Sequence, residues 1–415
     1  MQVAALQRRT VAVLSGAQVL GGLGVGANVA AGGLIAAEVA GTESVAGFAS
    51  TTTVLGAALA AVPLSSLTSD RGRRVGLSAG LLVGTLGTLL VVIGAWQHML
   101  AVVLLGTLLA GSATASGLQA RYAATDLAPA EHAARALSVV VWATTIGAVL
   151  GPNLTDPGAR IGRTLGIPEL AGVYVISSGA FLAATALVWA TLRPDPLLVA
   201  RAQGDDPTPE RSGPRLADRT REAWHVVRGN RDARLGLTAV AVGHAAMVGV
   251  MVMTPVHMAH ADVSVTIIGL VISVHILGMF ALSPVVGAAS DRFGRHAVLV
   301  AGAAFLLASA AIVAMAPANS SVGVGTGLFL LGLGWSCTLV AGSALLSESV
   351  PAASRQDAQG LSDLTMNLFG AVAGAVAGGV VALLSYSWLA LLAGLIVLPL
   401  AVRARPSRRV GAEAG

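Results

Sequence analysis

Asp70-Arg71-Gly72-Arg73-Arg74 returns as Asp291-Arg292-Phe293-Gly294-Arg295 a little over half a chain later, each copy in a short hydrophilic break between long apolar stretches. Other landmarks keep the offset. Asp126 stands three residues before Pro129 and Glu348 three before Pro351, while Asp70 to Asp126 is 56 positions and Asp291 to Glu348 is 57. Four landmarks in register mark an internal duplication, with the charged cluster at the same place in each half.

Composition fixes the solvent. The chain is 55% hydrophobic and 11% charged over 415 residues, with a mean hydropathy of +0.79; soluble proteins carry about 25% charged residues. Such a chain cannot cover a globular surface with polar groups. Twelve apolar spans lie near 11–37, 45–67, 76–96, 99–121, 136–154, 170–192, 235–258, 265–288, 297–316, 321–347, 360–384 and 387–402. Each is close to the ~20 residues a helix needs to cross a bilayer, and helices are required because lipid offers the backbone no hydrogen-bond partner. The 51 glycines suit close helix–helix approach. The expected fold is an all-α integral membrane protein of twelve transmembrane helices, in two six-helix bundles around a central cavity. Residues 1–192 form the first bundle, 193–234 a cytoplasmic central loop, and 235–415 the second bundle with a short cytoplasmic tail.

The net charge of +5 is carried by arginine alone, without any lysine. Arg8, Arg9, Arg71, Arg73, Arg74, Arg121, Arg135, Arg292, Arg295, Arg355, the central-loop arginines and those of the tail all fall on one side; Arg160 and Arg163 fall on the other. The positive-inside rule then predicts cytoplasmic N- and C-termini in a multi-pass protein of the cell membrane. The basic balance reports orientation, so nucleic acid is not an expected partner. Cys337 is the single cysteine and lies in the tenth span, which excludes an intrachain disulfide. The N-terminal apolar run is too long for a typical signal-peptide core and reads as the first span.

Residues 193–234, with Pro194, Pro196, Pro207, Pro209 and Pro214, begin as a flexible linker. From Leu216 to Val227 they read as an amphipathic helix on the inner surface, with Trp224 as interfacial anchor. The outer loop 155–169 carries Asp156, Arg160, Arg163 and Glu169. It can order itself through internal ion pairs or cover the outer mouth, and both readings stand.

The twin Asp-Arg-x-Gly-Arg clusters, each after the second span of a half, resemble the signature of the major facilitator superfamily, and the resemblance covers the whole chain. The second copy fits well, with Gly287 four residues before Asp291. The first departs: Ser66 stands where the leading glycine is expected, and Gly72 sits one place early with Arg73 in the usual glycine position. The Asp-to-Arg spacing of four persists in both, as Asp70–Arg74 and Asp291–Arg295. An aspartate here can accept N–H groups from the N-terminus of another helix, and the arginine can reach a carboxylate on a neighbouring span. Arg74 is therefore expected to pair with Asp126, and Arg295 with Glu348. The resemblance implies a cytoplasmic gate of Asp70, Arg71, Arg74, Asp126, Asp291, Arg292, Arg295 and Glu348, shut while the outer side is open. One surface ion pair contributes only about 0–1 kcal/mol, so a latch needs several.

Gly147-Ala148-Val149-Leu150-Gly151-Pro152 in span five resembles the family's antiporter motif, with Thr155 where a further glycine is expected. That resemblance implies a place at the interface between halves, and export coupled to proton exchange. Gly370, Gly374 and Gly378 are the counterpart in span eleven. Many proton-coupled exporters of the family carry an arginine midway along span four; here Thr107 precedes Gly111 instead. The remaining candidates for proton carrier are Glu38, Asp363, His244 and His275, because buried carboxylates and imidazoles can titrate near neutrality. Gln18, Asn28, Trp142, His244, His275, Trp335 and Asn367 are the expected cavity lining, since polar groups at membrane depth face the bundle interior.

His257-x-x-His260-x-Asp262 could imitate a metal site, but no further strong ligand lies nearby in sequence, so no metal site is expected. No hydrolase or kinase motif appears; neither a cofactor nor enzymatic activity is expected. The leading reading is a secondary active exporter of small apolar or amphiphilic compounds, driven by protons, with alternating access and a monomeric state. Import or facilitated passage of a small metabolite is the alternative. A transport-inactive receptor or assembly partner is the alternative from another class.

Overall fold

The computed structural model describes residues 2–42, 45–203 and 216–404. Pro207, Pro209 and Pro214 of the central loop and Arg405, Arg408 and Arg409 of the tail lie outside them. Among the described residues, twelve helices are long and apolar enough to cross a membrane.

The first bundle comprises α1 (Gln2–Ala40), α2 (Ala46–Arg71), α3 (Arg73–Trp96), α4 (Leu100–Ala123), α5 (Ala133–Leu150) and α7 (Ala171–Thr191), with the short α6 (Thr155–Leu165) between the last two. Two short helices follow, α8 (Pro196–Gln203) and α9 (Leu216–Gly229). The second bundle runs α10 (Arg231–Ala259), α11 (Val265–Ile276), α12 (Ser283–Phe293), α13 (Arg295–Met315), α14 (Ser321–Ser349), α15 (Arg355–Leu383) and α16 (Tyr386–Arg403). Span eight is α11 and α12 joined by a π-helical turn at Leu277–Ala281. Pro284, just inside α12, has no N–H to give and its ring crowds the preceding turn, so the backbone widens there.

Packing repeats with the sequence. In the first bundle α1 lies on α5 and α7, and α3 on α4 and α7; in the second α10 lies on α15 and α16, and α13 on α14 and α16. The bundles meet through α2 on α15 and α5 on α12, a reciprocal exchange of corresponding helices. Both signature turns, both acidic helix ends, α8 and α9 gather at one end of the molecule, here called the basic face. Gln7 donates to the Ala124 carbonyl at 2.7 Å, which puts the start of α1 there too. The two halves therefore run parallel, as one parallel repeat placed twice.

Two expectations need correction here. The linker is not irregular throughout, since residues 196–203 are helical. The glycines of span five do not face the other half either. They pack on α1 of their own bundle: a Cβ at Gly151 would lie 2.6 Å from the Ala27 nitrogen and 2.7 Å from the Gly26 Cα. The other half is met from the start of α5 instead, where Ser138 and Ala134 close on Gly287. After Leu150 the chain passes through a 3-10 turn, Gly151–Leu154, directly into α6. The side chain of Pro152 lies outside the described residues. α6 packs on α7, and Arg163 pairs with Glu169 at 2.9 Å, both well exposed.

This close approach makes a stability prediction. Gly151→Ala forces apart two backbones and is expected to cost about 1–3 kcal/mol. Gly179→Ala, in α7 with nothing within 4 Å of the added carbon, should be neutral or slightly stabilising, because alanine is the better helix former. Melting of the two purified variants side by side checks it; equal melting temperatures would contradict the packing role of Gly151.

Candidate functional site

The signature loops turn on glycine. Gly72 (φ +90°) and Gly294 (φ +90°) both adopt a backbone that L side chains rarely tolerate, and each is followed at once by a new helix. The glycine therefore sets the register, and the next residue, Arg73 or Arg295, is the first of its helix. The structure thus corrects the expected pairing: Arg73, not Arg74, holds Asp126. Its Nε and Nη2 donate to the two carboxylate oxygens at 2.8 and 2.9 Å, and Nη2 also donates to Gln359 of α15 at 2.9 Å. Arg73 and Asp126 are 1% and 2% exposed, so this is a buried bidentate pair. Arg74 turns outward; its guanidinium stacks 4.6 Å above Trp189 and its backbone N–H donates to Asp195 at 2.8 Å.

In the second half Arg295 donates to Glu348 at 2.7 Å, to Asp291 at 2.6 Å and to the Ala130 carbonyl of the first half at 2.7 Å. Asp291 accepts the backbone N–H groups of Ala134 and Arg135 at 3.1 and 2.9 Å. These belong to the first turn of α5, whose free N–H groups and dipole favour an anion. Asp70, about half exposed, is held differently. Arg219 of α9 reaches it at 2.9 Å and Asp357, in the first turn of α15, at 3.1 Å. Arg201 of α8 adds bonds to the Ser69 carbonyl at 2.7 Å and to Gln356 at 3.3 Å. Arg71 and Arg292 point to solvent, Arg292 over Phe293.

Between the two signature networks lies a contact that sequence reasoning missed. Arg121 of α4 donates to Asp363 of α15 at 2.5 Å, across the two halves, with 1% and 0% of their side chains exposed. Arg121 Nη2 also donates to the Tyr122 hydroxyl at 3.1 Å. Among the described residues, Arg121 Nε and Nη1 and Asp363 Oδ2 have no hydrogen-bond partner. A buried pair with unused donors and acceptors is incompletely compensated for its lost hydration. The polar contacts described here knit the halves together at the basic face, and the conformation is closed there.

The other candidates are scattered. His244 accepts from the Trp335 indole N–H at 3.0 Å, and Phe280 meets Trp335 edge-on at 5.5 Å. Gln18 bridges the Gly117 carbonyl and Thr144. Asn28 lines a small recess of about 110 Å³ between α1, α2 and α4. Trp142 is 41% exposed on α5. Asn367 is buried and donates to the Asp363 carbonyl at 2.7 Å. His275 does not line a cavity in this conformation: it is fully buried, with Nδ1 2.8 Å from the Leu328 carbonyl. Glu38 is exposed at the end opposite the basic face. No cluster of three or more metal-binding side chains occurs among the described residues.

A match to the Major Facilitator Superfamily spans residues 14–264 and 247–414. The chain is 37% identical over 404 residues to the uncharacterized MFS-type transporter YdeG of Bacillus subtilis (strain 168), covering 96% of this chain and 93% of that one. It is 29% identical to the riboflavin transporter RfnT of Brucella anthropi, over 98% of each chain. Among solved structures, the human organic anion transporter MFSD10 superposes with a TM-score of 0.73 at 16% identity, covering 96% and 99% of the two chains. The chain belongs to the major facilitator superfamily and is a multi-pass secondary transporter.

Proposed function

We propose that this transporter exports small apolar or amphiphilic compounds in exchange for protons, by alternating access, with N- and C-termini in the cytoplasm. The basic face is then the cytoplasmic face, and the observed conformation is the one shut to the cytoplasm. Residues 1–192 and 235–415 act as the moving bundles, and α8 and α9 of the segment between them, 193–234, tie the two together through Arg201 and Arg219.

The Arg121–Asp363 pair carries this reading. It joins α4 to α15 across the halves in a buried setting, so it exists only while the basic face is closed. A proton attaching to the unpartnered Asp363 Oδ2 removes the negative charge that holds Arg121. The contact loses its attraction, and the balance moves toward the form open to the cytoplasm. Losing the proton there and taking up substrate lets the pair re-form. Arg73 on Gln359, Arg295 on the Ala130 carbonyl, Asp291 on the first turn of α5 and the Arg219 bridge supply the rest of the closed-state contact energy across the halves. A difference of this kind between two states is what a coupling ion needs in order to shift them.

A second reading is favoured by one relative. The match to the riboflavin transporter RfnT spans nearly the whole chain. Trp335, expected in the cavity lining, is buried in this conformation, and the half-buried rings of Phe280 and His244 beside it are the aromatic groups that a planar heteroaromatic metabolite would meet. One experiment separates the two. A thermal-shift screen identifies a ligand, which is then added to inverted membrane vesicles holding an acid-inside proton gradient. Export predicts uptake of the ligand into the vesicles and dissipation of the gradient. Ligand movement that does not respond to the gradient would remove proton coupling, and net flow out of the vesicles would favour import.

A further inference from the structure

Away from the gate network, a groove of about 560 Å³ opens on the basic face where α9, the first turns of α10 and the end of α16 meet. Its walls include Trp224 of α9, Arg231, Arg234, Leu235 and Thr238 of α10, and Arg403 of α16. Arg231 is the first residue of the seventh span and Arg403 the last of the twelfth. By position, then, the groove lies where hydrocarbon gives way to headgroups, the depth at which tryptophan and arginine anchor helices.

Its arginines differ from the buried ones of the gate network. Arg73, Arg121, Arg219 and Arg295 each hold a carboxylate. Arg231, Arg234 and Arg403 are exposed and have no carboxylate partner among the described residues; Arg234 donates to the Arg228 carbonyl at 2.9 Å. The neighbouring acid, Asp232, faces His296 at 3.1 Å. Three cations sharing one recess repel one another, and an anion between them relieves that repulsion.

We propose that this groove binds the headgroup of an anionic phospholipid. The guanidinium forks match phosphate oxygens, while Trp224, about half exposed, and Leu235 give the glycerol and upper acyl chain an apolar wall. A water-soluble anion would use the charges but gain nothing from that wall. Basic pockets between helices on the cytoplasmic side are suited to lipid headgroups on the same grounds. Occupancy also reaches the gate. α9 forms one wall of the groove with Trp224 and Val227, and its Arg219 bridges Asp70 and Asp357. A lipid that steadies α9 against α10 steadies that bridge, and so favours the form closed on the basic face.

The test uses the full-length protein, wild type and Arg231→Gln/Arg234→Gln/Arg403→Gln, titrated with dioleoylphosphatidylglycerol, dioleoylphosphatidylcholine or inorganic phosphate. Lipid retention is read by native mass spectrometry and stability by melting. The wild type should retain the anionic lipid over the zwitterionic one roughly tenfold or more, and melt higher with it. The triple variant should lose that preference. Arg403→Gln alone, an exposed helix end, covers the case in which the triple variant does not fold, and should lower the preference severalfold. As a control, Arg221→Gln, an exposed arginine of α9 that does not line the groove, should keep it. Undiminished preference in the triple or the Arg403 variant would overturn the site. Equal stabilisation by inorganic phosphate would overturn the lipid.

Discussion

Replacing Arg73 by glutamine is expected to abolish transport, whereas the same change at Arg74 should leave most of it. The two residues are neighbours, and both sit in the signature loop. Arg73 is buried, donates twice to a buried carboxylate and reaches Gln359 in the other half. Arg74 is half-buried, and what its guanidinium touches is the face of Trp189. Removing one partner of a buried pair leaves the other charge uncompensated, at about 3–5 kcal/mol. Because 1.4 kcal/mol is tenfold in an equilibrium constant, a penalty of that size borne by the closed form, which buries Asp126 and places Arg73 on Gln359 of the other half, moves the two-state balance by roughly 100- to 1,000-fold or more. A stacking contact at a partly exposed site contributes about 0.5–1 kcal/mol. Arg73→Lys should fall between, since an ammonium keeps the charge but cannot make the two-pronged contact. Transport at matched expression, with labelling of cysteines introduced on each side of the gate, measures both effects. An active Arg73→Gln beside an inactive Arg74→Gln would sink the register derived from the glycine turns.

That register was written in the sequence, though not in the place where the motif directs attention. Counting four residues on from the aspartate, the spacing of the second copy, selects Arg74 as the partner of Asp126. Counting from the residue after the turning glycine gives 53 positions from Arg73 to Asp126 and 53 from Arg295 to Glu348. The missing residue lies on the α2 side of the turn. The left-handed backbone at the glycine is the physically fixed point, so it is the better origin for the count.

The twelve spans and their duplication were legible because they rest on local properties, namely apolar length and the demand that backbone polar groups be satisfied in lipid. Arg121–Asp363 was not. Its members lie 242 positions apart, share no motif, and each taken alone is a charge near a helix end. Only the crossing of α4 with α15 brings them together. His275 fails for a different reason. Polarity at membrane depth predicts an inward-facing group, and it is inward; but it lies in a helix–helix seam, with Nδ1 on the Leu328 carbonyl and Nε2 without a partner among the described residues, and lines no cavity. The glycines of span five show the same ambiguity, since a small-residue stripe says that helices approach closely and not which helix arrives.

Asp363→Asn is expected to uncouple the protein from protons and to open its basic face. Asparagine has the shape of the protonated carboxyl group and cannot ionise, so the variant imitates the proton-loaded state permanently. Arg121 then remains 1% exposed with no counter-charge, a penalty of about 3–5 kcal/mol against the closed form. If the two forms differ by a few kcal/mol, that is enough to invert their populations. Cysteines placed on the basic side of the cavity should label faster in Asp363→Asn than in wild type, and ligand flux should no longer respond to a pH gradient. The double variant Arg121→Gln/Asp363→Asn distinguishes the two roles assigned to the pair. With neither charge buried, nothing drives the face open, so labelling should return toward wild type. Proton coupling should stay lost, because the carboxylate is still absent. A double variant as open as the single one would show that the uncompensated arginine is not what shifts the states. Proton-coupled flux persisting in Asp363→Asn would remove Asp363 from the coupling path and return the search to His244 and Glu38.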